Sequence, residues 1–147
     1  GRALYATTAL DVSSAGAVSA DASVATHESL SATVNGVQFL LESDQRPLRI
    51  NESARLMLTL SRVDGGELVL EDVMGAPAHL VAFDEACSGF AHLHPAPPAP
   101  EFVSHTDAGQ RLAFAINLPD PGYYRLWAQV KVDGRELFAP FGVRVEP

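Results

Sequence analysis

Cysteine is almost missing from this chain: its 147 residues include one, Cys87. A single cysteine forms no internal disulfide, so the fold must rest on a hydrophobic core, and no covalent framework argues for any one compartment. Basic residues are scarce as well. Ten Lys and Arg stand against eighteen Asp and Glu, for a formal charge of −8. That balance excludes nucleic acid as a partner and disfavours an anionic membrane surface, since both require a basic face. No apolar run nears the ~20 residues of a membrane helix, so this chain is not membrane-spanning in helical form. No apolar segment follows Gly1-Arg2-Ala3-Leu4, so no leader is visible in it.

Catalytic signatures are missing too. There is no Gly-x-Ser-x-Gly elbow, His-Glu-x-x-His helix, phosphate-binding glycine loop or Cys-x-x-Cys pair. Ser104, His105 and Asp107 lie too close in one loop to adopt triad geometry. The acidic pairs Glu71-Asp72 and Asp84-Glu85 read as solvated turn charges. A blue-copper centre needs Cys, then His, then Met in one loop. Cys87 precedes His92, but no Met follows it there. Met57 and Met74 are the only methionines, so there is no methionine-rich segment either. We therefore expect no enzymatic activity.

What the chain does have is alternation. Hydrophobic residues make up 47% and charged residues 19%, a balance ordinary for a globular protein, and the length suffices for one core. Residues 1–32 are rich in Ala, Ser, Thr and Val and read as an extension, with one β-forming stretch at 4–12. From residue 33 to 147 the period is two throughout. Strands are expected at about 33–42, 54–62, 67–70, 78–83, 90–94, 112–118, 123–132 and 135–145. Asp133-Gly134 between the last two is a preferred type I′ hairpin pair. Asp120-Pro-Gly-Tyr-Tyr124 places Tyr124 where Greek-key sandwiches carry a tyrosine corner. The expected fold is an all-β, immunoglobulin-like Greek-key β-sandwich of about seven strands with an N-terminal extension.

The stretch from Gly75 to Pro95 carries the chemistry. It holds three of the five histidines, His79, His92 and His94. If strands 78–83 and 90–94 form a hairpin with Phe83 opposite Phe90, then Val81 faces His92 and His79 faces His94. All three imidazoles then share one side of the sheet. Paired Cβ atoms lie about 4.5–5.5 Å apart, within reach of one metal ion. A slip of one residue scatters them. Three ring nitrogens without an acid suit copper or zinc rather than a hard cation. The competing reading makes these histidines structural, bonded to loop backbone at a strand end that the Pro95–Pro100 run terminates. Cys87 is either a fourth ligand or reactive thiol, or a small turn residue.

The register of the last hairpin makes a further expectation. With Val132 opposite Arg135, Tyr124, Leu126, Ala128 and Val130 face the core with Leu137, Ala139, Phe141 and Val143. Trp127 then lies outward, across from Pro140 and diagonal to Phe138. An apolar patch of that kind marks a contact. The expected cover is residues 1–32 or a second copy of the chain, making the Trp127/Phe138/Pro140 face a surface for an unknown protein partner or a homo-oligomer.

Gly75-Ala-Pro-Ala-His-Leu-Val, His92-Leu-His-Pro95, Pro121-Gly-Tyr-Tyr and Ala139-Pro-Phe-Gly-Val together resemble an extracytoplasmic β-sandwich group related to YtkA-like domains. The resemblance covers about residues 34–146. It implies a periplasmic, secreted or membrane-tethered location, a heavy-metal or copper-related setting and no catalytic activity. Its motif histidines fall on His79, His92 and His94.

Overall fold

The computed structural model describes residues 27–87, 89–96 and 109–147. Within them the chain forms ten strands and no helix: β1 (Ser31–Val34), β2 (Val37–Ser43), β3 (Leu48–Arg49), β4 (Ser53–Arg62), β5 (Leu70–Glu71), β6 (Ala78–Asp84), β7 (Phe90–Leu93), β8 (Gln110–Asn117), β9 (Gly122–Val132) and β10 (Arg135–Glu146). No helix among these residues is long and apolar enough to cross a membrane. The expected strand at 4–12 lies outside the described residues, as do Ser104, His105, Asp107 and the end of the proline run.

Two sheets face each other. One is ordered β1-β2-β4-β8; the other is ordered β3-β10-β9-β6-β7, with β5 also paired to β9. The series β10-β9-β6-β7 matches the G-F-C-C′ side of a variable-type immunoglobulin sandwich, and β2-β4-β8 matches A-B-E. Alternation fills the space between. Leu56, Leu58 and Leu60 of β4 and Phe39 and Leu41 of β2 meet Leu80 of β6, Leu126 of β9 and Phe141 of β10, all essentially buried. Tyr124 donates its hydroxyl to the Asp120 carbonyl oxygen at 3.1 Å, which is the expected tyrosine corner. Burial of that hydroxyl pushes its pKa up, so it stays protonated and keeps donating.

The expected β9–β10 register is the observed one. Asp133-Gly134 joins Val132 to Arg135, and Trp127 pairs with Pro140. Trp127 is half-buried and Phe138 is 49% exposed.

Three expectations need correction. The strand at 33–42 is two strands, because Asn35-Gly36 turns the chain with both residues at positive φ and Val34 pairs with Val37. Asn-Gly is a strong hairpin pair, and the apolar alternation running through it masked the break. The strand at 67–70 shifts to Leu70–Glu71, since Leu68 is drawn into the core. The strand total also exceeds seven. The split at Asn35-Gly36 adds one, and the two-residue β3, paired parallel to the end of β10, adds another.

Candidate metal centre

The site forms on the outward face of β6 and β7. Phe83 pairs with Phe90, Ala82 with Ala91, Val81 with His92 and Leu80 with Leu93, so the hairpin register is the expected one. Leu80 and Ala82 point into the core, which turns His79, Val81 and Phe83 outward. His92 follows on the same side. His94 stands one residue past β7, where the chain leaves β6 and crosses to the other sheet. There Ala96 donates its N–H to the Ala113 oxygen of β8 at 2.7 Å. Pro95 suits that exit, having no N–H to give to a ladder.

The three rings form a nearly equilateral group. Centroids are 4.8 Å apart for His79–His92, 4.7 Å for His79–His94 and 5.0 Å for His92–His94. One ring nitrogen from each lies within 4.8 Å of the others. His79 is buried at 2% exposure, while His92 and His94 are exposed. Among the described residues no carboxylate or thiol belongs to the group.

His79 is buried on an outward face because the chain detours over it. β5 pairs with β9 at Val132 and Lys131, and β6 rejoins the same edge of β9 at Val130. Between them residues 72–77 leave the sheet and turn back, with Val73 and Ala76 exchanging backbone hydrogen bonds at 2.8 and 3.1 Å. The Val73 carbonyl oxygen lies 2.8 Å from His79 Nε2. A carbonyl only accepts, so Nε2 carries the proton and donates. In the neutral ring Nδ1 is then a bare lone pair, and it faces His92 Nε2 at 2.6 Å. Without an ion, His92 Nε2–H donates to it. Pinning one ring nitrogen on a backbone carbonyl to aim the other is how proteins orient metal-binding imidazoles.

The surroundings of His92 favour its neutral form. Its pKa lies below the usual imidazole value, chiefly because burial disfavours the cation, and further because charge on His79 or His94 would repel it. A neutral imidazole is the form that binds a metal.

The structure brings together all three histidines singled out in the sequence. It does not bring Cys87 to them. Cys87 is exposed in the turn at the far end of the hairpin, with positive φ and its N–H bonded to the Asp84 oxygen. The Phe83–Phe90 and Val81–His92 pairs lie between that turn and the His79 end, so the fourth-ligand reading fails on position. Glu71 is likewise structural. It accepts from the Gly134 N–H and pairs with Lys131 at 2.9 Å, and these contacts hold its pKa low. The group that sequence reasoning missed is the Val73 carbonyl. Its signal was the glycine of Val73-Met-Gly-Ala76, a turn placed just before the histidine strand.

Residues 32–147 match the family described as a domain of unknown function, DUF8832, and the chain belongs to that family. No curated protein matches the chain. Among solved structures it is similar to a crystal structure named "Putative Lipoprotein from Bacillus anthracis", at 16% identity and a TM-score of 0.48, over 95% of this chain and all of that one.

Proposed function

We propose that this DUF8832 domain binds a transition-metal ion, copper or zinc, through His79, His92 and His94, and catalyses no reaction. One observation carries the reading. One ring nitrogen from each of three imidazoles lies within 4.8 Å of the others, and the buried ring is held by Val73 with its Nδ1 facing His92. An all-nitrogen donor set fits copper or zinc and is wrong for calcium or magnesium, which require oxygen. His79 would ligate through Nδ1. His92 would ligate through Nε2 after shifting its proton to Nδ1, which an exposed ring does at little cost. The resemblance to YtkA-like domains supports the metal setting and an extracytoplasmic location.

Calorimetric titration with Cu(II) and Zn(II) near neutral pH tests this. The wild type is expected to bind one ion per chain at micromolar affinity or tighter, and His92→Ala/His94→Ala to bind none. A wild type that takes up neither ion refutes the reading.

A second reading is that the domain is an interaction module and its histidines are structural. With the Val73 contact, the 2.6 Å contact to His92 gives His79 a partner at each ring nitrogen without an ion. The outward face beside them carries Val81, Trp127, Pro140 and the half-exposed Phe138, a surface for a protein partner or a second copy. This reading expects no metal uptake. It also expects Phe138→Ser to abolish a self-association seen in the wild type as a mass that rises with concentration.

A further inference from the structure

The outward side of β6, β9 and β10 carries a row of apolar residues. Val81 pairs with Trp127, and Trp127 with Pro140. All three are half-buried. Phe138, two residues before Pro140 on the same side of β10, is 49% exposed. A contiguous apolar row of this kind marks a contact.

The path of the chain before β1 bears on what makes that contact. Phe141 and Val143 are buried in the core, so Gly142 between them faces outward. The His27 carbonyl oxygen lies 2.3 Å from where a Cβ on Gly142 would stand. His27 is therefore over the outward side of β10, two residues along the strand from Pro140, about 7 Å. Ser29 then takes the edge of β10 by exchanging hydrogen bonds with Gly142, and Ser31 opens β1 in the other sheet. Of the expected cover, residues 29–32 are thus committed elsewhere, and the chain before His27 sets out from the face itself.

The stretch at 4–12 suits that face. At a period of two, Leu4, Ala6, Thr8, Leu10 and Val12 share one side, while Tyr5, Thr7, Ala9 and Asp11 take the other. The chain between Val12 and His27 reaches up to about 50 Å when extended, far more than a few strand spacings require. A second copy is the weaker occupant. Two chains of formal charge −8 repel each other, and a tethered segment gives up none of the translational freedom that a separate molecule loses.

We propose that residues 1–26 fold back over the outward side of β10, β9 and β6, with Leu4, Leu10 and Val12 against Val81, Trp127, Phe138 and Pro140. The chain then covers its own apolar face, and a protein partner reaches that face only by displacing the segment. The inference does not rest on the histidines binding a metal.

The test uses the full chain, in which Trp127 is the only tryptophan. Leu4→Asp/Leu10→Asp should red-shift its emission by several nanometres and at least double its acrylamide quenching constant. The wild-type mass in solution should be that of one chain at every concentration. A second measurement places cysteines on the two surfaces, as Thr8→Cys/Gln129→Cys with Cys87→Ser. Mild oxidation should join them within one chain, at a rate independent of protein concentration. Unchanged emission and quenching in the Asp variant, with no disulfide in the cysteine variant, overturns the proposal. Protection of Trp127 that is lost on dilution, as the mass falls from two chains to one, assigns the face to a second copy and overturns it too.

Discussion

At the scale of single residues, the site depends on one proton being in a known place. The Val73 carbonyl keeps it on His79 Nε2, and everything else about the cluster follows from the lone pair left on Nδ1. His92 yields the pH prediction. Its pKa in the folded chain is below the value near 6.5 that it has when unfolded. Above that value both states hold a neutral ring and the group contributes nothing. As pH falls through it, the unfolded chain takes up a proton that the folded chain still refuses, so stability drops until the folded pKa is passed. Urea unfolding between about pH 8 and about pH 5 should therefore show the wild type losing more stability than His92→Gln. Equal losses in the two proteins would remove His92 from the account. Metal affinity should weaken over the same range, since the ion competes with protons for the same nitrogens.

At the scale of elements, the β6–β7 hairpin and the 72–77 detour act as one unit, one supplying rings and the other a carbonyl. A second close fit joins the start of the described chain to β10. Ser29 exchanges backbone hydrogen bonds with Gly142, both at 2.9 Å. The His27 carbonyl oxygen lies 2.3 Å from where a Cβ on Gly142 would be. Backbone crosses the sheet face there because glycine leaves the room. Gly142→Ala should push that segment away and destabilise the fold by roughly 1–3 kcal/mol, the usual cost of overpacking. A lower urea midpoint at unchanged slope is the expected reading; an unchanged midpoint means the crossing is not a constraint. Neither the detour nor this crossing was legible in advance. Each depends on which strand edge a loop returns to, which the order of residues along a loop does not state.

At the scale of the molecule, the histidine cluster spans a central strand and an edge strand. β6 lies between β9 and β7, and His79 projects from the former strand while His92 and His94 belong to the chain of the latter. An ion bound to all three would require that edge to be closed, so binding and folding would be linked. At a free-metal concentration one hundred times the Kd, linkage adds about 2.7 kcal/mol. For a domain of this size that is a rise in Tm on the order of 10 °C. Thermal scans with Zn(II) should show it in the wild type and not in His92→Ala/His94→Ala. A wild-type Tm that ignores the ion would place the metal away from the hairpin or in the unfolded chain.

By itself the sequence determined the class of fold, the register of the last hairpin and the tyrosine corner, and it offered the shared face of three histidines for one register of the other hairpin. These are consequences of period two and of turn chemistry, which act between neighbours: Asp133-Gly134 sets the last register, and the structure selects the pairing of Phe83 with Phe90 in the other. Tertiary structure decided the rest. It buried His79 on an outward face, supplied Val73 as the partner of Nε2 and left Cys87 out of reach. Those outcomes come from β5 and β6 sharing one edge of β9, which lifts the residues between them over the sheet. A pairing between segments so far apart in the chain is chosen by the closing of the whole sandwich, and local pattern carries no record of it.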